Sequence, residues 1–259
     1  MELPSALYLP LEDDCYEATE LTIGPWSPDA QHGGPPAALL TREVERIGGI
    51  AGGQTVRLAF DILGPVPVSP VRVTSRVLRP GRRVELVEAT LEAGDRPLMR
   101  VTAWRTRVAE GLSAPAEPAP HAPDDGYPGD LRFFDREIAY HRALDWRVVH
   151  GDFMQPGPAA AWTQPLCTLV DGEPMTPLEH LLVMTDASSG LSSELDWSTT
   201  SFANIDLVVA LRRPPRGEWL ATDAVTHLGG TGTAQCFAAL YDAAGLIGRS
   251  SQSLLIEPR

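Results

Sequence analysis

The hydrophobic positions of this chain fall into two rhythms, and both recur in the same order in the two halves. In residues 56–62, Val56, Leu58, Phe60 and Ile62 alternate with Arg57, Ala59 and Asp61, the period of two that marks a half-buried strand. The runs 71–78, 82–91 and 97–108 follow, parted by RPG and AGD turns, which predicts an antiparallel meander of long strands. Upstream, a strand is expected around 16–23, followed by the turn segment GPWSPDA. Across 32–48 the rhythm changes: Ala37, Leu40, Val44 and Ile47 take helical spacing behind the pair Gly33 and Gly34. That helix start is expected to offer free N–H groups beside the glycines.

The second half repeats the order. Strands are predicted at 145–153 and 159–170, a helix at 176–192, and strands at 205–213, 219–228, 234–241 and 246–257. A shift of 149 aligns Pro65 with Pro214, Gly81 with Gly230, Leu91 with Leu240 and Arg100 with Arg249. The helices align at 142, Leu39 and Leu40 against Leu181 and Leu182. A helix wrapped by a curved antiparallel sheet, built twice, is an α+β architecture; the two sheets should join, with both helices in the middle. The divisions read as an N-terminal repeat 1–112, a Pro- and Ala-rich linker 113–130 and a C-terminal repeat 131–259.

One stretch carries more than a core pattern. Thr176, Pro177 and Glu179 form a capping box with proline at the first helical position. Leu178, Leu181, Leu182 and Thr185 share one face of the helix that follows, and Asp186 falls on the edge of that apolar stripe. A carboxylate there needs partners or a chemical task. The plainer possibility is an Asp near a helix end that bonds backbone groups around Ser188, Ser189 and Gly190.

Composition narrows the field. A net charge of −13 lacks the basic face a nucleic acid needs, and no apolar run reaches membrane-span length. The acidic N-terminus does not read as a signal peptide, so a cytoplasmic location is expected. Cys15, Cys167 and Cys236 are scattered, which suggests neither a disulfide framework nor a metal site. All 21 basic residues are arginine, and that removes Schiff-base and P-loop lysine chemistry.

His32-Gly33-Gly34, MTDASSG at 184–190, SFANIDLVVALRRPPRGEWL at 201–220 and GRSSQSLLIEPR at the C-terminus occur in an order that resembles the double hotdog acyl-CoA thioesterases of the acyl-CoA thioesterase II type. The resemblance implies a double hotdog fold and hydrolysis of acyl-CoA to free acid and coenzyme A, with no cofactor beyond the coenzyme A of the substrate itself. It further implies pairing into a homo-oligomer, a dimer of double hotdogs. Carried over by motif, Asp186 is the base that polarises a water held by Asn204 and Gln252, with Gly33 and Gly34 facing the thioester oxygen beside His32. Where the family more often has Thr, this chain has Asn204. Each position also has a structural alternative. Gln252 could face solvent among serines, Asn204 could be a turn residue, the glycines could serve close helix approach, and His32 could be purely structural.

Competing chemistries have weaker support. Ser188-Ser189-Gly190 lacks the GxSxG elbow of a serine hydrolase, and GGTGT at 229–233 lies between predicted strands, as a hairpin turn does. A hydratase acting on enoyl-CoA would want a paired Asp and His, which the sequence does not reveal around His180. A non-catalytic acyl-CoA-binding protein is the main alternative. Arg82-Arg83 and Arg212-Arg213 are candidates for the coenzyme A phosphates.

Overall fold

The computed structural model describes residues 3–47, 49–109, 111–134 and 136–259. Its first half runs β1 (Ala6–Pro10), β2 (Cys15–Ala18), α1 (Gly34–Arg46), β3 (Gly53–Ile62), β4 (Val71–Arg79), β5 (Val84–Ala93) and β6 (Arg96–Arg107). The second half runs β7 (Tyr127–Pro128), β8 (Leu144–Asp152), β9 (Gln155–Pro165), β10 (Thr168–Val170), α2 (Pro177–Thr185), α3 (Ser188–Leu191), β11 (Thr200–Asn204), β12 (Asp206–Leu211), β13 (Leu220–Leu228), β14 (Thr233–Asp242) and β15 (Gly245–Pro258).

The duplication read from the sequence is present in the strand boundaries. β4, β5 and β6 begin at 71, 84 and 96, and their counterparts β13, β14 and β15 begin at 220, 233 and 245, each 149 later. The two meanders join edge to edge where β3 pairs antiparallel with β12, placing Val208 opposite Ala59. All strands thereby belong to one 15-stranded sheet. Alternation along β5 and β14 turns every second side chain inward, so one sheet face wraps α1 and α2. Leu39 and Leu40 of α1 and Leu181 and Leu182 of α2 are wholly buried in that shared core.

Three local departures from the predicted pattern have physical causes. A bulge in β3 between Thr55 and Arg57 removes Val56 from the inward set and buries Thr55 instead. The run 159–170 is two strands: β9 ends at Pro165, which has no N–H to continue the ladder, and β10 crosses to pair in parallel with β1 of the other half. The expected linker is partly ordered, with a 3-10 turn at Pro123–Asp125 and β7 paired to β8, while the Glu117 carbonyl accepts the Leu246 N–H. GGTGT forms the β13–β14 turn, with Gly232 at φ +79°.

Candidate active site

The site forms where α2 stops. Its start is fixed by the predicted box: Thr176 Oγ1 accepts the Glu179 N–H and Glu179 Oε2 accepts the Thr176 N–H, at 3.2 and 2.7 Å. A cap of this kind stabilises a helix by about 1 kcal/mol. The helix does not continue to 192 as its apolar pattern suggests. At Asp186 the Ala187 N–H turns back to Met184, and the chain resumes as the short α3. The break leaves the Val183 and Asp186 carbonyls without helical donors, and side chains from other elements supply them. Tyr140 Oη donates to the Val183 oxygen at 2.6 Å. Asn204 Nδ2 and Gln252 Nε2 both donate to the Asp186 oxygen, at 3.2 and 3.0 Å.

The Asp186 side chain is 5% exposed. Its Oδ1 accepts a second N–H from Asn204 at 2.7 Å, and Asn204 Oδ1 in turn accepts the Ser189 hydroxyl at 3.0 Å. Its Oδ2 lies 3.2 Å from His32 Nδ1, close enough to share a proton. The Gly34 N–H competes for Nδ1 at 3.1 Å. Burial lowers the His32 pKa, while the neighbouring Asp186 pulls it the other way. The imidazole is held flat on Tyr140, with ring centroids 3.7 Å apart and planes 1° apart.

The two glycines let the start of α1 meet the end of α2. A Cβ on Gly33 would stand 2.7 Å from Asp186 Oδ2, and one on Gly34 would collide with the Val183 carbonyl. The expected row of free N–H groups at this helix start is reduced almost to nothing. Pro35 and Pro36 have none, the His32 N–H goes to Thr22 and that of Gly34 to its own neighbour His32. The Gly33 N–H has no partner among the described residues.

A cavity of about 450 Å³ opens beside this group, bordered by Asp186, Asn204, Ser189, His32 and Gly33. Gln252 is not part of its wall: it approaches the Asp186 peptide from behind, 2% exposed, and its Oε1 is buried with no partner. The structure therefore brings His32, Gly33, Asp186 and Asn204 to one surface, and leaves Gly34 and Gln252 in support. Tyr140 was not singled out from the sequence, and Ser189 entered only as a helix-end residue and as part of a motif lacking the serine-hydrolase elbow. Tyr140 carries no motif, and only tertiary folding reveals that it reaches α2.

Other candidates are engaged elsewhere. Ser188 bonds Thr222, His180 bonds Thr163 in the core, Arg212 pairs with Glu117, and Arg213 grips Asp242 with its two terminal guanidinium nitrogens at 2.5 and 2.6 Å. Among the described residues no cluster suits a metal ion, and no helix is long and apolar enough to cross a membrane.

The repeat offsets show what the first half holds at the corresponding places. Asp186 matches Val44 at the helix offset, and Asn204 and Gln252 match Thr55 and Ala103 at the sheet offset. The first repeat thus has no carboxylate or amide there.

Comparison with known proteins agrees with this architecture. The family model described as acyl-CoA thioesterase N-terminal domain matches residues 22–106, and the one described as acyl-CoA thioesterase C-terminal domain matches residues 113–256. No curated protein sequence matches the chain. A putative thioesterase II from Thermobifida fusca superposes with a TM-score of 0.74 at 18% identity, covering 98% of this chain and 96% of the other. The acyl-CoA thioesterase II TesB2 of Mycobacterium marinum gives 0.68 at 19% identity over 97% and 96%. A hot dog fold protein from Alicyclobacillus acidocaldarius gives 0.73 at 14% identity over 98% and 97%. With both domain models matched in order along a double hotdog, the chain belongs to the acyl-CoA thioesterase family.

Proposed function

We propose that this protein hydrolyses acyl-CoA thioesters to the free acid and coenzyme A, with Asp186 as general base. The observation that carries this reading is a buried carboxylate, oriented by Asn204, that borders an apolar cavity beside the Gly33 N–H, which has no partner among the described residues. A thioester carbonyl is electrophilic enough for water to attack without a covalent intermediate, provided that water, base and oxyanion donor are positioned. The water oxygen bonds to the acyl carbon as its proton passes to Asp186. The oxyanion that forms accepts the Gly33 N–H. Collapse breaks the C–S bond, and the thiolate leaves with the proton held by Asp186. Asn204 spends both N–H groups on Asp186, so it acts by fixing the base. Gln252 is a positioning residue for the Asp186 peptide.

The His32–Asp186 contact supplies the Asp and His pair that hydration of an enoyl thioester would use, and so keeps that chemistry as a second reading. One experiment separates the possibilities. Free thiol is followed on a panel of acyl-CoAs, together with loss of the conjugated double bond on an enoyl-CoA, for wild type and Asp186→Asn. Thiol release that falls about 10²- to 10⁴-fold in the variant supports hydrolysis and its base. Loss of conjugation without thiol release favours hydration. If acyl-CoA binds and nothing turns over, the protein is a binding module.

A further inference from the structure

We infer that the acyl group this cavity selects is an uncharged aromatic one, in preference to a straight aliphatic chain; this rests on the thioesterase reading above. Aromatic residues make up only 7% of the chain, yet four of its six phenylalanines and three of its six tryptophans border this one cavity. They are also arranged against one another. Phe133 stacks on Phe153 at 5.6 Å and on Trp197 at 5.2 Å, with interplanar angles of 30° and 15°. Trp197 stacks on Trp26 at 5.4 Å, and Phe202 meets Trp26 edge-on at the same distance. These rings come from separate segments: Trp26 precedes α1, Phe133 follows β7, Phe153 lies in the β8–β9 turn, Trp197 follows α3 and Phe202 is in β11.

Such a wall is rigid, since each ring has two side-chain torsions and is braced by its neighbours. A planar acyl group can meet its faces and edges in stacked or T-shaped contact, which adds to area burial and gives orientation. A flexible chain gains only area and must lose rotamer freedom to fill the same space. Charge sets the other limit. Among the described residues, the ionisable side chains on the cavity wall are Asp186, His32 and the phenol Tyr140; Asp186 and His32 are engaged with each other, and Tyr140 donates to the Val183 carbonyl. A carboxylate at the far end of the acyl group would be buried with no free cation among these described lining residues.

The test compares 3-phenylpropionyl-CoA with nonanoyl-CoA, which has the same number of acyl carbons and more apolar hydrogen-bearing surface. Area alone favours the linear ester. We expect kcat/KM to favour the aryl ester by at least about fivefold. Trp197→Leu and Phe133→Leu should each move the ratio toward the linear substrate. Equal or better turnover of nonanoyl-CoA by the wild type overturns the inference, as does a ratio that neither variant changes. If neither ester is hydrolysed, the thioesterase reading fails. The aryl preference is then decided by calorimetric binding of the two thioether analogues, where a tighter aryl analogue supports it and a tighter linear one overturns it.

Discussion

Asn204 donates one amide N–H to the Asp186 carboxylate at 2.7 Å and the other to the Asp186 backbone carbonyl at 3.2 Å, so one side chain fixes both that carboxylate and the peptide that carries it. Asn204→Ala should lower kcat about 10- to 100-fold. Asn204→Asp sets a like charge against the base and raises the protonation of the pair, which moves the acid limb of the rate profile to higher pH. Rate profiles of both variants check this; equal losses with no movement of the limb would mean that Asn204 only supports the fold.

Gly33 and Gly34 should respond differently to alanine. A methyl at Gly34 meets the backbone of α2, which cannot step aside, so Gly34→Ala is expected to destabilise the protein by about 1–3 kcal/mol. At Gly33 the obstacle is the Asp186 side chain, 2.7 Å away, which can rotate only by abandoning Asn204. Gly33→Ala should therefore lose activity more than stability. Urea midpoints set beside turnover rates make the comparison.

Gln252 gives the opposite contrast to a core polar residue. Its Nε2 bonds the Asp186 carbonyl, but its Oε1 is buried without a partner, a state that costs free energy. Gln252→Met removes both, and the Asp186 carbonyl keeps its bond from Asn204. Stability should change by less than about 1 kcal/mol while kcat falls roughly tenfold. A large destabilisation in chemical denaturation would show that the amide is needed for the core.

The buried histidines predict how stability depends on pH. Burial holds His180 down to about 3, where the ordinary imidazole stands at 6.5. Below 6.5 the unfolded chain takes up a proton that the folded chain refuses. The contribution is thus complete above pH 6.5 and is lost as pH falls from there toward 3, by a few kcal/mol in order of magnitude. His141, held at about 4, and His32 act in the same direction. Unfolding free energies at pH 7 and pH 4.5 should differ less in His180→Gln, which keeps a partner for Thr163 but does not titrate.

The fold was legible because its signals are local and repeated. Alternation marks each strand of the meanders, and the 149-residue shift recurs in the strand starts. What escaped were features decided by distant partners. β1 gains its place by pairing with β10 and β2, and its own five residues show no clear alternation. The helix expected to reach 192 breaks at Asp186, where amide donors from two strands offer its carbonyl better partners than the helix does. At the site, motif placement named Asp186, Asn204 and His32 as separate candidates, and the contact of His32 with Asp186 emerged only from the meeting of α1 with α2.

The offset between the repeats also fixes a stoichiometry. Val44, Thr55 and Ala103 stand where the second repeat has Asp186, Asn204 and Gln252. A pair of identical single repeats would carry two equivalent centres, each constrained by the other's sequence. In the fused chain one copy lacks the acidic and amide positions and instead sets His32 and Gly33 against the other copy's Asp186. On the proposed reading, a tight-binding inhibitor should therefore saturate at one molecule per chain.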